Sequence, residues 1–143
     1  IADDCKKAGI TLILSTPNFG AARGDTNKAD VKFGPKILEV AKEKGVLGVN
    51  LSGLGYADYT ASGSNKEYWS KNFNVYFGAQ QDDLHLSYFG AMKNASLVAQ
   101  AIYDAQKDTE NTELAETLKG LKINIQAYQM KDSEGQTVTL QVK

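Results

Sequence analysis

Two short apolar runs constrain this chain most. Ile10 to Ser15 reads "ITLILS" and Val46 to Leu51 reads "VLGVNL". Neither carries a charge, and both are rich in aliphatic residues, the pattern of a strand covered on both faces. Between them stands a helical stripe of Ile37, Leu38 and Ala41, with Glu39, Lys42 and Glu43 off it. Pro35 suits the first turn of that helix and Gly45 suits its exit. Strand, helix, strand in this order is a βαβ unit, and it predicts a parallel sheet.

The remaining elements follow from the same kind of reading. Residues 2–8 are helix-compatible and stop at Gly9. "NFGAARGDTNKADVKFG" reads as a long loop after Pro17, and residues 52–73 read as irregular, with a short helix near Tyr56–Ala61. Ser87 is a good N-cap for a helix to about Lys107, with Tyr88, Ala91, Met92, Ala95, Val98, Ala99 and Ile102 on one face. "TELAETLKG" is a further helical piece. "LKINIQAYQM" and "QTVTLQVK" alternate around "KDSEG" as a hairpin. Residues 1–108 therefore read as one α/β unit, and 109–143 as an appendage or the start of another module.

Composition narrows the function classes. The 143 residues are enough for one buried core. Sixteen Lys and Arg stand against seventeen Asp and Glu, a net charge of -1, so no strong field exists to hold nucleic acid or an anionic membrane. The single cysteine, Cys5, excludes an internal disulfide and a cysteine zinc cage, and the single histidine excludes a multi-histidine metal site. No metal or cofactor is expected. The apolar runs are too short to span a bilayer. The chain opens at Ile1 inside what reads as the end of a helix, so an upstream half of the same domain is an expected partner.

That one histidine, His85, lies in "DDLHLSYFGA", three residues after Asp82 and just before the predicted helix. A serine hydroxyl needs a neutral imidazole to take its proton, and the imidazole needs a carboxylate to fix its tautomer. A turn-like backbone between positions 82 and 85 would bring the two together. The positive end of the following helix disfavours the imidazolium and Asp82 favours it, which suits a base that is neutral at rest. Asp83 reads as a solvated neighbour. The bland alternative is a surface histidine beside a helix start, in a binding or assembly module without chemistry.

The block of Asp82, His85, Ser87, Gly90 and Ala91 ahead of a long helix resembles the last motif of the SGNH (GDSL-type) hydrolases. The nearest likeness is to carbohydrate esterases of the rhamnogalacturonan acetylesterase type. "LILSTPNFG", Leu12 to Gly20, and "YADY", Tyr56 to Tyr59, are similar to that family's late segments in the right order. The resemblance covers about residues 1–107. It implies the C-terminal half of a three-layer α/β/α, flavodoxin-like domain with a parallel sheet. It further implies hydrolysis of an acetylated polysaccharide through an acyl-serine, with His85 as base and Asp82 as its orienter. An extracellular or periplasmic location is the corresponding expectation. The family's Gly-Asp-Ser nucleophile block and its oxyanion donors have no counterpart in these residues, so the chain alone is expected to be close to inert.

Several other patterns compete for attention. "GDT", Gly24 to Thr26, follows a proline rather than ending a strand, so Thr26 is a poor nucleophile candidate. "RGD", Arg23 to Asp25, is a tripeptide that chance readily produces. "GLGYAD", from Gly53, lacks the third glycine of a dinucleotide fingerprint. Asn50 and Asn94 head glycosylation sequons, the second inside a predicted helix. Trp69 or Tyr68 in "KEYWSKNF" reads first as core packing and second as a flat face for a sugar. The reactive loops are expected at the carboxyl ends of the strands, in Thr16–Phe33, Leu51–Tyr56 and Gln80–Ser87.

Overall fold

The computed structural model describes residues 1–19, 28–77, 80–123 and 127–140; of 28–31, 73–77 and 80–84 it describes the backbone. The described chain is mixed α/β. In order, its elements are α1 (Ala2–Lys7), β1 (Ile13–Ser15), α2 (Lys28–Lys44), β2 (Leu47–Val49), α3 (Leu51–Ala61) and α4 (Lys66–Phe73). Then come β3 (Asn74–Phe77), β4 (Gln80–Leu86), α5 (Tyr88–Ala105), α6 (Thr112–Leu118), β5 (Tyr128–Lys131) and β6 (Thr137–Leu140).

The βαβ unit is present. β1 and β2 pair in parallel, Ile13 opposite Leu47 and Ser15 opposite Val49, with α2 as the crossover. Successive residues of a strand face opposite ways. Leu47 and Val49 enter a core with Ile102 of α5 and Leu118 of α6, and Gly48 faces Ala41 and Leu38 of α2. β2 therefore has helices on both faces. β1 is shorter than the apolar run suggested and only half-buried, and Ile10 is 60% exposed. β1 has one strand neighbour among the described residues, so apolar composition exceeds what this sheet covers.

α2 also departs from expectation, because Pro35 lies inside it rather than in its first turn. A proline costs one bond of the helical ladder and clashes with the Cβ of the residue before it. That residue is Gly34, which has none. Residues 52–73, expected to be largely irregular, are mostly helical. Asn50 caps α3 by accepting from the Gly53 N–H at 2.9 Å. Asn65 accepts from the Tyr68 N–H at the start of α4.

A second core holds Phe19, Trp69 and Phe89, with Tyr59, Tyr68, Leu86, Met130 and Val138 against it. α5 runs through both cores, with Phe89 at its start and Ile102 near its end. Lys93 on the same helix pairs with Asp58 of α3 and lies over the Trp69 ring. Residues beyond 108 enter both cores too, Leu118 the first, Met130 and Val138 the second. The expected hairpin is β5–β6, antiparallel, with Met130 opposite Val138. Full burial of a side chain such as Leu118 stabilises by about 1.5–3 kcal/mol.

Candidate active site

The carboxyl ends of β1 and β2 are tied into one surface. The Thr16 N–H donates to the Val49 carbonyl at 2.9 Å, and the Ser52 N–H donates to the Thr16 hydroxyl at 3.0 Å. Both Thr16 and Ser52 are buried, so each polar group needs its partner. Phe19, just past the proline, sits against Tyr56, Tyr59 and Trp69. Phe89, in the first turn of α5, belongs to the same cluster, whereas Ile102, near the end of α5, belongs with Leu47 and Val49 of β2 itself. α5 therefore starts beside the segment that leaves the carboxyl end of β1 and then packs along β2. The chain that enters α5, Asp82 to Ser87, arrives at the end where α/β sheets carry their ligands.

His85 is exposed, at the penultimate position of β4. The Asp-x-x-His stretch is strand here, where a loop was expected. The polar run "QQDD" hides its pairing with "NVYF", which depends on contact across the hairpin rather than on local pattern. That pairing is irregular at one place. Asn74 lies opposite Leu86 and Tyr76 opposite Gln81, so Val75 alone faces the four residues Asp82 to His85. In a regular strand, positions 82 and 85 would face opposite ways. A bulge breaks that alternation and redirects side chains. The side chains of Asp82 and Asp83 lie outside the described residues, as do Arg23, Asp25 and Thr26 altogether.

Ser87 has a structural job. Its hydroxyl accepts from the Gly90 N–H at 3.1 Å, capping α5, and donates to the Asn72 carbonyl. This removes the hydroxyl nearest His85 in sequence from consideration as a nucleophile. Trp69 is 3% exposed and its indole N–H donates to the Ser62 hydroxyl, so it is a core anchor and offers no face to a ligand. The Tyr68 hydroxyl donates to Asp132 at 2.8 Å. Burial, aided by that bond, pushes the Tyr68 phenol up to about 12. Gly53 and Gly55 lie within α3, and Gly55 is packed on Phe19, which accounts for both without a nucleotide. Asn94 is buried in α5, where a glycan has no room.

Two aromatic rings that the sequence gives no site role, Tyr88 and Tyr128, reach the surface. Tyr88, the first residue of α5, shares a 2.7 Å hydrogen bond with Tyr128, the first residue of β5. That bond holds the Tyr88 phenol above its ordinary value. Helical spacing puts Tyr88 on the apolar stripe of α5, yet its ring is exposed and its hydroxyl meets the hairpin.

A cavity of about 210 Å³ lies elsewhere, at the amino end of the strands, lined by Asp3, Lys6, Ile10, Lys44 and Leu114 among others. Among the described residues, no three His, Cys, Asp or Glu side chains group as metal ligands. No helix of the described residues is long and apolar enough to cross a membrane. No family model matches the chain, and comparison with curated proteins and with solved structures returns no match.

Proposed function

We propose that this chain supplies the histidine base and its aspartate orienter to a serine-type carbohydrate esterase of SGNH character. The fold in this reading is a three-layer α/β/α domain, of which β1, β2 and the helices on both sides of β2 are a part. What carries the reading is one conjunction. His85, the single histidine, is exposed at the end of β4, directly ahead of a capped helix whose first turn packs on Phe19, four residues past the carboxyl end of β1. Asp82 precedes it by three residues at a strand irregularity.

The chemistry then follows from roles. His85 takes the proton from the attacking serine hydroxyl through one ring nitrogen. Asp82 accepts the N–H of the other nitrogen and stabilises the imidazolium as it forms. The serine oxygen bonds the acetyl carbon, the imidazolium gives its proton to the sugar oxygen as that oxygen's bond to the carbon breaks, and water cleaves the acyl-serine by the same steps in its place. The serine and the oxyanion donors come from a Gly-Asp-Ser block and its companions, which these 143 residues do not contain. The substrate is an acetylated polysaccharide. The setting is outside the cytoplasm.

The test uses the full gene-encoded protein. A fluorophosphonate probe should label it, and it should release acetate from acetylated rhamnogalacturonan. His85→Ala should lower kcat about 10⁶-fold and Asp82→Asn about 10⁴-fold. Ser87→Ala should lose about 1 kcal/mol of stability in urea unfolding while still labelling, because its hydroxyl caps a helix. A folded protein that neither labels nor deacetylates would instead identify a binding module.

A further inference from the structure

Tyr88 and Tyr128 are 65% and 41% exposed, unusual for large rings whose hydroxyls are bonded to each other. They come from distant parts of the chain, and both are anchored. Tyr88 stands on the first turn of a helix capped by Ser87. Tyr128 belongs to a hairpin fixed to α4, where Tyr68 donates to Asp132 and the Ser133 N–H donates to the Asn72 side chain. With only two side-chain torsions each, the rings have little freedom to lose on binding.

Their chemistry selects a partner. Each ring offers an apolar face and a polar edge. The mutual bond uses one of the two phenolic hydrogens and leaves the other, with spare lone pairs, for a ligand. Among the described residues, neither hydroxyl makes a second hydrogen bond. A pyranose ring has the matching form, C–H groups on its face and hydroxyls around its rim. Two rings are too small a patch for a protein or lipid surface, and a net charge of -1 does not favour nucleic acid. Tyr88 is three residues from His85, a chain reach of about 10 Å, so one oligosaccharide spans both.

We infer that Tyr88 and Tyr128 form a stacking platform for a sugar ring of the substrate, next to the unit whose ester meets His85. The inference rests on the esterase reading for the neighbouring chemistry, but the sugar binding it describes requires no hydrolysis.

Two measurements on the full gene-encoded protein separate the claims. Calorimetric titration uses a rhamnogalacturonan oligosaccharide stripped of acetyl groups. Tyr88→Ala and Tyr128→Ala should each weaken its binding about tenfold, while Tyr88→Phe and Tyr128→Phe, which keep the rings, should stay within about threefold of wild type. Steady-state kinetics should show the alanine loss as a raised KM on the acetylated oligosaccharide, larger than any loss on p-nitrophenyl acetate, which carries no sugar. No wild-type binding, alanine variants that bind as wild type, or equal losses on both substrates would each overturn the platform. Binding that depends on the tyrosines in a protein without esterase activity would retire the esterase and keep the platform. Intact esterase activity with unmoved sugar binding would do the reverse.

Discussion

Asp132 shows how much one carboxylate can organise. It is 8% exposed, and it accepts the Tyr68 hydroxyl on one oxygen and the Glu134 and Gln136 N–H groups on the other. Burial alone would raise its pKa, but Tyr68, the two backbone donors and Lys131 outweigh it and hold the carboxyl below the ordinary 3.8. A depressed carboxylate contributes stability that is present above the unfolded value and lost as pH falls through the folded one. The Tyr68 phenol, raised to about 12, behaves in the opposite sense. Its contribution is present below 10.0 and fades as pH rises toward 12. Urea unfolding against pH should therefore show a plateau between those limits. Asp132→Asn should lower the plateau and flatten the acid limb below pH 3.8, whereas an unchanged acid limb would remove Asp132 from this role. The neighbouring cap at Ser87 was legible in the sequence, because a cap is a local pattern of serine before a periodic helix. The Asp132 bond was not, since its partner is sixty-four residues away.

At the scale of elements, α2 fits tightly on the parallel pair. A Cβ built at Gly48 would stand 2.9 Å from the Cβ of Ala41 and 3.2 Å from a methyl of Leu38. The Ala41 atom is fixed to its helix and cannot swing away, so α2 must move or β2 must bend. Gly48→Ala should cost about 1–3 kcal/mol in chemical denaturation, the usual range for overpacking. A neutral result would mean that α2 does not rest on β2. The βαβ order, α5 and the final hairpin were readable because each rests on periodicity within one segment. The start of α2 was hidden by Pro35, whose usual position in a first turn is overridden where a glycine precedes it. β4 was hidden because its partner, not its own polar pattern, makes it a strand. The site followed the same division. Asp-x-x-His ahead of a helix is local and visible, but the irregularity that governs how positions 82 and 85 relate arises only from pairing with β3.

For the whole molecule, the decisive question is whether residues after 108 are carried by the α/β unit or are part of it. Leu118 has no exposed surface and lies with Leu47, Val49 and Ile102, side chains of β2 and α5. Gln106, just past α5, donates from its side chain to the Leu118 and Leu121 carbonyls, each at 2.8 Å. The hairpin adds Met130 and Val138 to the aromatic core at the other end of α5. An appendage could be lost with little effect on the sheet, but a side chain at the centre of the sheet's own core cannot. Leu118→Ala should destabilise by about 2–5 kcal/mol, the cost of a buried leucine replaced by a cavity. The loss should appear in one transition, with Trp69 fluorescence and far-ultraviolet dichroism falling together, because Trp69 reports the second core and helix content reports both. Two separated transitions, with only the smaller shifted by the substitution, would instead divide the chain after α5 and make α6 and the hairpin a unit of their own. Tyr128, on that hairpin, meets Tyr88, three residues after His85 in the chain, so a single transition would also tie the Tyr88–Tyr128 surface to the integrity of α6 and the hairpin.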